Sequence, residues 1–141
     1  MGLDISAYSN IEYIGDDEEG LETKQYTQIY LNKHFLAAAD GLKNGFYAYE
    51  VIHSFRAGSY SGYNDWRSQL ENMVDNEKDF HELINFSDCE GVIGSVTSKK
   101  LLEDFKKWDN VASTKKYFYE SYKEWQKAFE LASNNGCVSF L

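Results

Sequence analysis

Proline is missing from all 141 residues, and cysteine occurs only at Cys89 and Cys137. Without proline no rigid linker marks an internal boundary, so residues 1–141 read as a single domain, long enough to bury its own core. Two cysteines make neither a disulfide framework nor a metal spacing. They read as free, buried thiols in a reducing cytoplasm. Also missing is any apolar run near the ~20 residues that a membrane span needs, and the first residues lack the basic-then-apolar pattern of a secretory leader. Bases are scarce: 14 Lys and Arg against 23 Asp and Glu leave a net charge of −9. That balance disfavours tracking a nucleic-acid backbone, where affinity comes from many cation–phosphate contacts. The expectations are a cytoplasmic location, no membrane partner and no direct nucleic-acid backbone binding. A small anion is not excluded, because a local pair of arginines outweighs distant acids at a screening length of ~8 Å.

What the chain has in quantity is aromatic: three Trp, eleven Tyr and nine Phe. With 43% hydrophobic residues this composition argues against disorder. So many rings exceed what a small core readily hides, which predicts a homo-oligomer. The one acidic run, Asp16-Asp17-Glu18-Glu19 between Gly15 and Gly20, reads as a solvated turn. Met1-Gly2-Leu3-Asp4-Ile5-Ser6 fits a loose acylation pattern, but the same residues alternate like the start of a strand.

The first half has the period of strands. Leu3 to Ile14 alternates, Tyr26 to Leu31 is β-rich, and Phe46 to Phe55 is dense in aromatic and β-branched residues. Cys137 to Leu141 reads as a last short strand. The second half changes period. Trp66, Leu70, Met73 and Val74 share a helical face; so do Phe80, Leu83 and Ile84, and again Leu101, Leu102, Phe105 and Trp108. Phe118, Tyr122, Trp125, Phe129 and Ala132 follow at i, i+4, i+7, i+11 and i+14. Thr114 suits the cap that starts this last helix, and Asn134-Asn135-Gly136 suits its end. The expected fold class is α+β: a mainly antiparallel sheet of about four strands with three to four helices on one face.

Two segments carry chemistry. Phe55-Arg56-Ala57-Gly58-Ser59-Tyr60-Ser61-Gly62-Tyr63-Asn64-Asp65-Trp66-Arg67 lies between an expected strand and a helix starting near Asn64. As a site, Arg56 and Arg67 neutralise phosphate, Ser59 and Ser61 donate hydrogen bonds, and Tyr60 or Tyr63 stacks on a base. Gly58 and Gly62 let the backbone come close. Asp65 counts against this, since it competes for the same N–H groups, and no Walker or Gly-x-Gly-x-x-Gly pattern is present. The same residues also read as an ornate turn, with Trp66 in the core. The second segment, Ile84-Asn85-Phe86-Ser87-Asp88-Cys89-Glu90-Gly91-Val92-Ile93-Gly94, holds Asp88 and Glu90 downstream of His81 and Glu82. These carboxylates could accept from ribose hydroxyls, bind a metal or do acid–base work with the nearby histidine, or only cap backbone around Gly91. His81-Glu82-Leu83-Ile84-Asn85 has Asn85 where His-Glu-x-x-His needs its second zinc ligand, so no metal is expected. Cys89 reads as an inert thiol, His34 as structural, and His53 as near enough to the loop to touch a ligand.

Met-Gly-Leu-Asp-Ile-Ser-Ala-Tyr-Ser, Phe-Arg-Ala-Gly-Ser-Tyr-Ser-Gly-Tyr-Asn-Asp-Trp-Arg and Ile-Asn-Phe-Ser-Asp-Cys-Glu-Gly-Val-Ile-Gly together resemble a family of small uncharacterised proteins of bacteriophages and bacterial genomes. The resemblance runs from Met1 to Leu141. It implies no named activity, only the setting of a compact cytoplasmic accessory protein of phage origin. The leading functional expectation is a non-enzymatic protein that binds and sequesters a small phosphorylated nucleotide-like immune signal, without a cofactor. The second is an inhibitor that binds a host defence protein directly. The third is a small hydrolase built on His81, Asp88 and Glu90.

Overall fold

The structure, a computed structural model, describes residues 2–17, 25–86 and 90–141. Glu18, Glu19, Ser87, Asp88 and Cys89 lie outside the described residues. The fold is α+β. Its elements are β1 (Leu3–Ser9), β2 (Glu12–Gly15), β3 (Tyr26–Ile29), a 3₁₀ turn (Leu36–Ala39), β4 (Gly45–Ala48) and β5 (Val51–Gly58). After these come α1 (Tyr60–Met73), α2 (His81–Ile84), β6 (Gly91–Gly94), α3 (Ser95–Ala112), α4 (Lys116–Ala132) and β7 (Cys137–Phe140).

The main sheet is antiparallel with strand order β5-β1-β7-β6, and β2-β4-β3 form a second, smaller sheet. Side chains alternate across the main sheet, as the pleat requires. Leu3, Ile5, Ala7, Phe55, Ala57, Ile93, Val138 and Phe140 turn toward the helices and join the larger core. Tyr8, Val92 and Cys137 turn the other way, onto Ile29, Ala39 and Tyr47 of the small sheet and the 3₁₀ turn. The main sheet is therefore covered by helices on one side and, in part, by the small sheet on the other.

The expected face of α4 is the buried one. Phe118, Tyr122, Trp125, Phe129 and Ala132 all lie in the larger core. Trp125, 1% exposed, stacks between Trp66 and Phe129 at ring distances of 5.5 and 6.0 Å. Burying each such ring stabilises the fold by about 1.5–3 kcal/mol.

Four local expectations need correction. The Leu3–Ile14 run breaks at Asn10, whose φ of 50° turns the chain between β1 and β2. The Phe46–Phe55 run splits at Tyr49-Glu50 into strands of different sheets; Gln25 Nε2 donates to both carbonyls there, at 3.1 and 3.0 Å. Gly91–Gly94, read only as part of a motif, forms the strand β6. Thr114 does not cap α4: its hydroxyl donates to the Val111 carbonyl at 2.7 Å and closes the end of α3. The Asn134-Asn135-Gly136 stop is as expected, with Asn135 at φ 50° and Gly136 N–H donating to Ala132. A Cβ on Gly136 would fall 1.7 Å from the Tyr8 carbonyl oxygen, so only glycine fits this seam with β1.

Candidate functional site

The Arg56–Arg67 stretch is a joint between β5 and α1. Gly58, at φ +103°, makes a bend that other residues resist. Ser59 then caps α1, which begins at Tyr60 rather than at Asn64. Its Oγ accepts the Gly62 N–H at 3.0 Å, and the Ser61 hydroxyl lies 3.2 Å from it. Both serines are thus occupied locally, as ordinary N-cap chemistry. Tyr63 is fully buried, and its hydroxyl donates to the Phe86 carbonyl at 2.7 Å, so it offers no stacking face to a ligand. Arg67 donates through Nη1 to the carbonyls of Ile84 and Phe86 at 2.7 and 2.9 Å, and through Nη2 to Asn64 Oδ1 at 2.5 Å. Trp66 is core, packed on Trp125 and Phe118.

Arg56 and Tyr60 keep exposed heads. The Arg56 side chain is 59% exposed, with Nε 3.8 Å from Asp4 Oδ1. It overlies Gly2, where a Cβ would sit 2.4 Å from the guanidinium. The shallow depression of about 180 Å³ beside it is bordered by Glu120 and Glu124, which repel a phosphate.

The two motif segments do meet, though not as a pocket. Tyr63 and Arg67 grip the backbone at Ile84 and Phe86, the opening residues of the second segment. Asp88 lies outside the described residues. Glu90 is exposed, its carbonyl accepting from Asn32 Nδ2 at 2.7 Å. Gly91 pairs with Phe140, Phe140 with Ile5, and Ile5 with Phe55, so one row crosses the sheet from the Glu90 end to the Arg56 end. Three strand spacings make that row about 14 Å long. Arg56 and Glu90 therefore flank opposite edges and share no phosphate–ribose pocket.

The open feature is the free edge of β5. Asp4 and Leu141 exchange both backbone hydrogen bonds, at 3.0 and 2.9 Å. Asp4, Ser6 and Tyr8 therefore turn their amides to β7, while Ile5, Ala7 and Ser9 turn theirs to β5. Directly opposite, Val51, His53 and Phe55 point back at β1. The N–H and C=O groups of Ile52, Ser54 and Arg56 are left facing outward, with no strand beyond them in the main sheet among the described residues.

Along this edge α4 forms a wall. Beside the smaller depression at Phe55–Ala57 lies one of about 530 Å³, lined by Val51, Ile52 and His53 of β5 and by Lys127, Glu130 and Leu131 of α4. His53 Nε2 meets Glu124 Oε2 at 3.0 Å between the two hollows. Val51 and Ile52 are 46% and 45% exposed, an apolar end to an acid-flanked groove. Residue-type signals in the sequence did not single out this edge, although Phe46–Phe55 was rightly β-rich.

Among the described residues no group of three or more His, Cys, Asp or Glu could hold a metal ion. Cys137 is buried, and burial pushes its thiol up to about 12, so it stays protonated. Compared with known families, with curated proteins and with solved structures, the chain matches none.

Proposed function

We propose that the chain is a non-enzymatic binding protein that takes an extended segment of another protein as a further strand along β5. The observation that carries this is the outward-facing backbone of Ile52, Ser54 and Arg56 beside a groove walled by α4. Main-chain pairing supplies affinity in such strand addition, and hollows for alternate side chains supply specificity. Glu120 and Glu124 beside the smaller hollow favour a basic side chain there, while Lys127 balances Glu130 in the larger one, where Val51 and Ile52 favour an apolar residue. In the phage setting that the resemblance implies, the segment belongs to a host protein. Nucleotide sequestration has less support, since Arg67 is committed to carbonyls, Tyr63 is buried and Arg56 lies among carboxylates.

A displayed library of random peptides, selected on the protein, tests the proposal. Selected peptides are expected to slow hydrogen exchange at Ile52, Ser54 and Arg56. Ser54→Pro, which removes one outward N–H, is expected to weaken them at least about tenfold, the effect of losing one strong hydrogen bond. Protection elsewhere, or unchanged affinity in Ser54→Pro, refutes strand addition. A thermal shift with cyclic nucleotides or ADP-ribose, reflecting about 2.7 kcal/mol of added stability at a hundredfold excess over Kd, would return the nucleotide reading to first place.

A further inference from the structure

On the other side of the molecule a cleft of about 390 Å³ opens between the 3₁₀ turn, α2 and the start of α3. We infer that this cleft binds a small aromatic anion, a function independent of the β5 groove.

Its size is that of a small-ligand site, and its make-up is an apolar floor with a few polar groups above it. The half-buried ring of Phe35 forms the floor, backed at 4.6 Å by the fully buried Phe86, and Ala37 and Ala38 extend the apolar surface. Phe86 is held from behind, because Tyr63 and Arg67 both donate to its carbonyl. The grip of the first motif on the second thus fixes the support beneath Phe35. A flat ring suits the floor.

The rim selects charge. Among the described residues, the carboxylate lining it is already engaged: Glu82 pairs with Lys100 at 2.7 Å. Asp40 accepts the Thr97 N–H and hydroxyl at 2.7 and 2.9 Å, capping α3 from a distant part of the chain. Donors remain. Asn85 Nδ2, which can only donate, lies 3.0 Å from His81 Nδ1 and 2.8 Å from the His81 carbonyl. His81 Nδ1 therefore accepts, and the ring proton sits on Nε2. His81 and the exposed His34 both border the cleft. An acceptor with negative charge gains most from such donors.

The three histidines of the chain make the test direct. His34 and His81 border the cleft, whereas His53 lies in the β5 groove. Proton NMR of the imidazole Hε1 signals is followed while 2-naphthoate is titrated into the full chain. Saturable shifts at His34 and His81 with a still His53 are expected, and 2-naphthol, which lacks the charge, should bind about tenfold more weakly. Ala37→Trp, at an exposed position on the cleft, should abolish the titration. With His81→Ala the remaining His34 signal should report weaker binding. Adenosine monophosphate, titrated in parallel, tells a nucleotide from a plain aromatic carboxylate by which binds more tightly. Silent signals, an equal response at His53, equal affinity for 2-naphthol, or an unaffected Ala37→Trp would each overturn the inference.

Discussion

Arg56 and Arg67 carry the same guanidinium and meet opposite fates. Arg67 satisfies two backbone carbonyls, and Arg56 leans over Gly2 toward an exposed Asp4. Removing Arg67 takes the side-chain donor from the Ile84 carbonyl in a half-buried place, while the Phe86 carbonyl keeps Tyr63, so Arg67→Ala should cost about 1–3 kcal/mol in urea unfolding. Arg56→Ala should stay within about 0.5 kcal/mol, since its ion pair is solvent-exposed. Equal losses in the two variants would refute these assignments. The sequence made both residues conspicuous without separating them. Arg67 partners arrive from Ile84 and Phe86, through a fold no residue count reveals. Asn64, Tyr63 and Arg67 lie on one flank of α1, and that flank, not a ligand, explains their polar heads.

Among elements, β5 holds the sharpest contrast between adjacent residues. His53 turns its N–H to β1, and Ser54 turns its N–H to the free edge. Proline is tolerated in a strand only where the lost N–H faces outward. His53→Pro should therefore lower stability by about 1–3 kcal/mol more than Ser54→Pro, as measured by denaturant midpoint. Similar midpoints would show that the edge has been read in the wrong phase. Long amphipathic elements were legible: α3 and α4 follow from their apolar spacing. β6 was not, because Gly-Val-Ile-Gly is short and buried on both faces, giving no alternation to read. The split between β4 and β5 was hidden for another reason. Aromatic residues there serve two different cores, Phe46 and Tyr47 near the small sheet and Phe55 under α4, so the sequence stays uniformly β-like across the break.

For the molecule as a whole, the aromatic count is answered from within. Most rings lie in the two cores; Tyr26, Tyr30, Tyr60 and Tyr117 are the aromatic residues counted as exposed among those described. The acid balance has a specific point of attachment. Asp79 accepts from Asn76, Lys107 and Trp108, fastening the segment before α2 to α3. The Asn76 amide first, then Lys107 and Trp108, hold its carboxyl well below the usual carboxylate range. A carboxyl lowered on folding contributes stability above its unfolded pKa, near 3.9, and loses it as pH falls toward the folded value. The stability lost in Asp79→Asn should thus be constant above about pH 5 and shrink below about pH 4. A difference that grows on acidification would contradict this.

The place of β7 has a consequence for how the sheet closes. Residues 137–140 form the bridge between β1 and β6, and among the described residues β6 pairs with no other strand of that sheet. Until those residues dock, the first strand is zipped on one side only, and β6 is held by packing against α3 and the 3₁₀ turn rather than by a strand. Closure of the main sheet therefore hinges on a four-residue keystone.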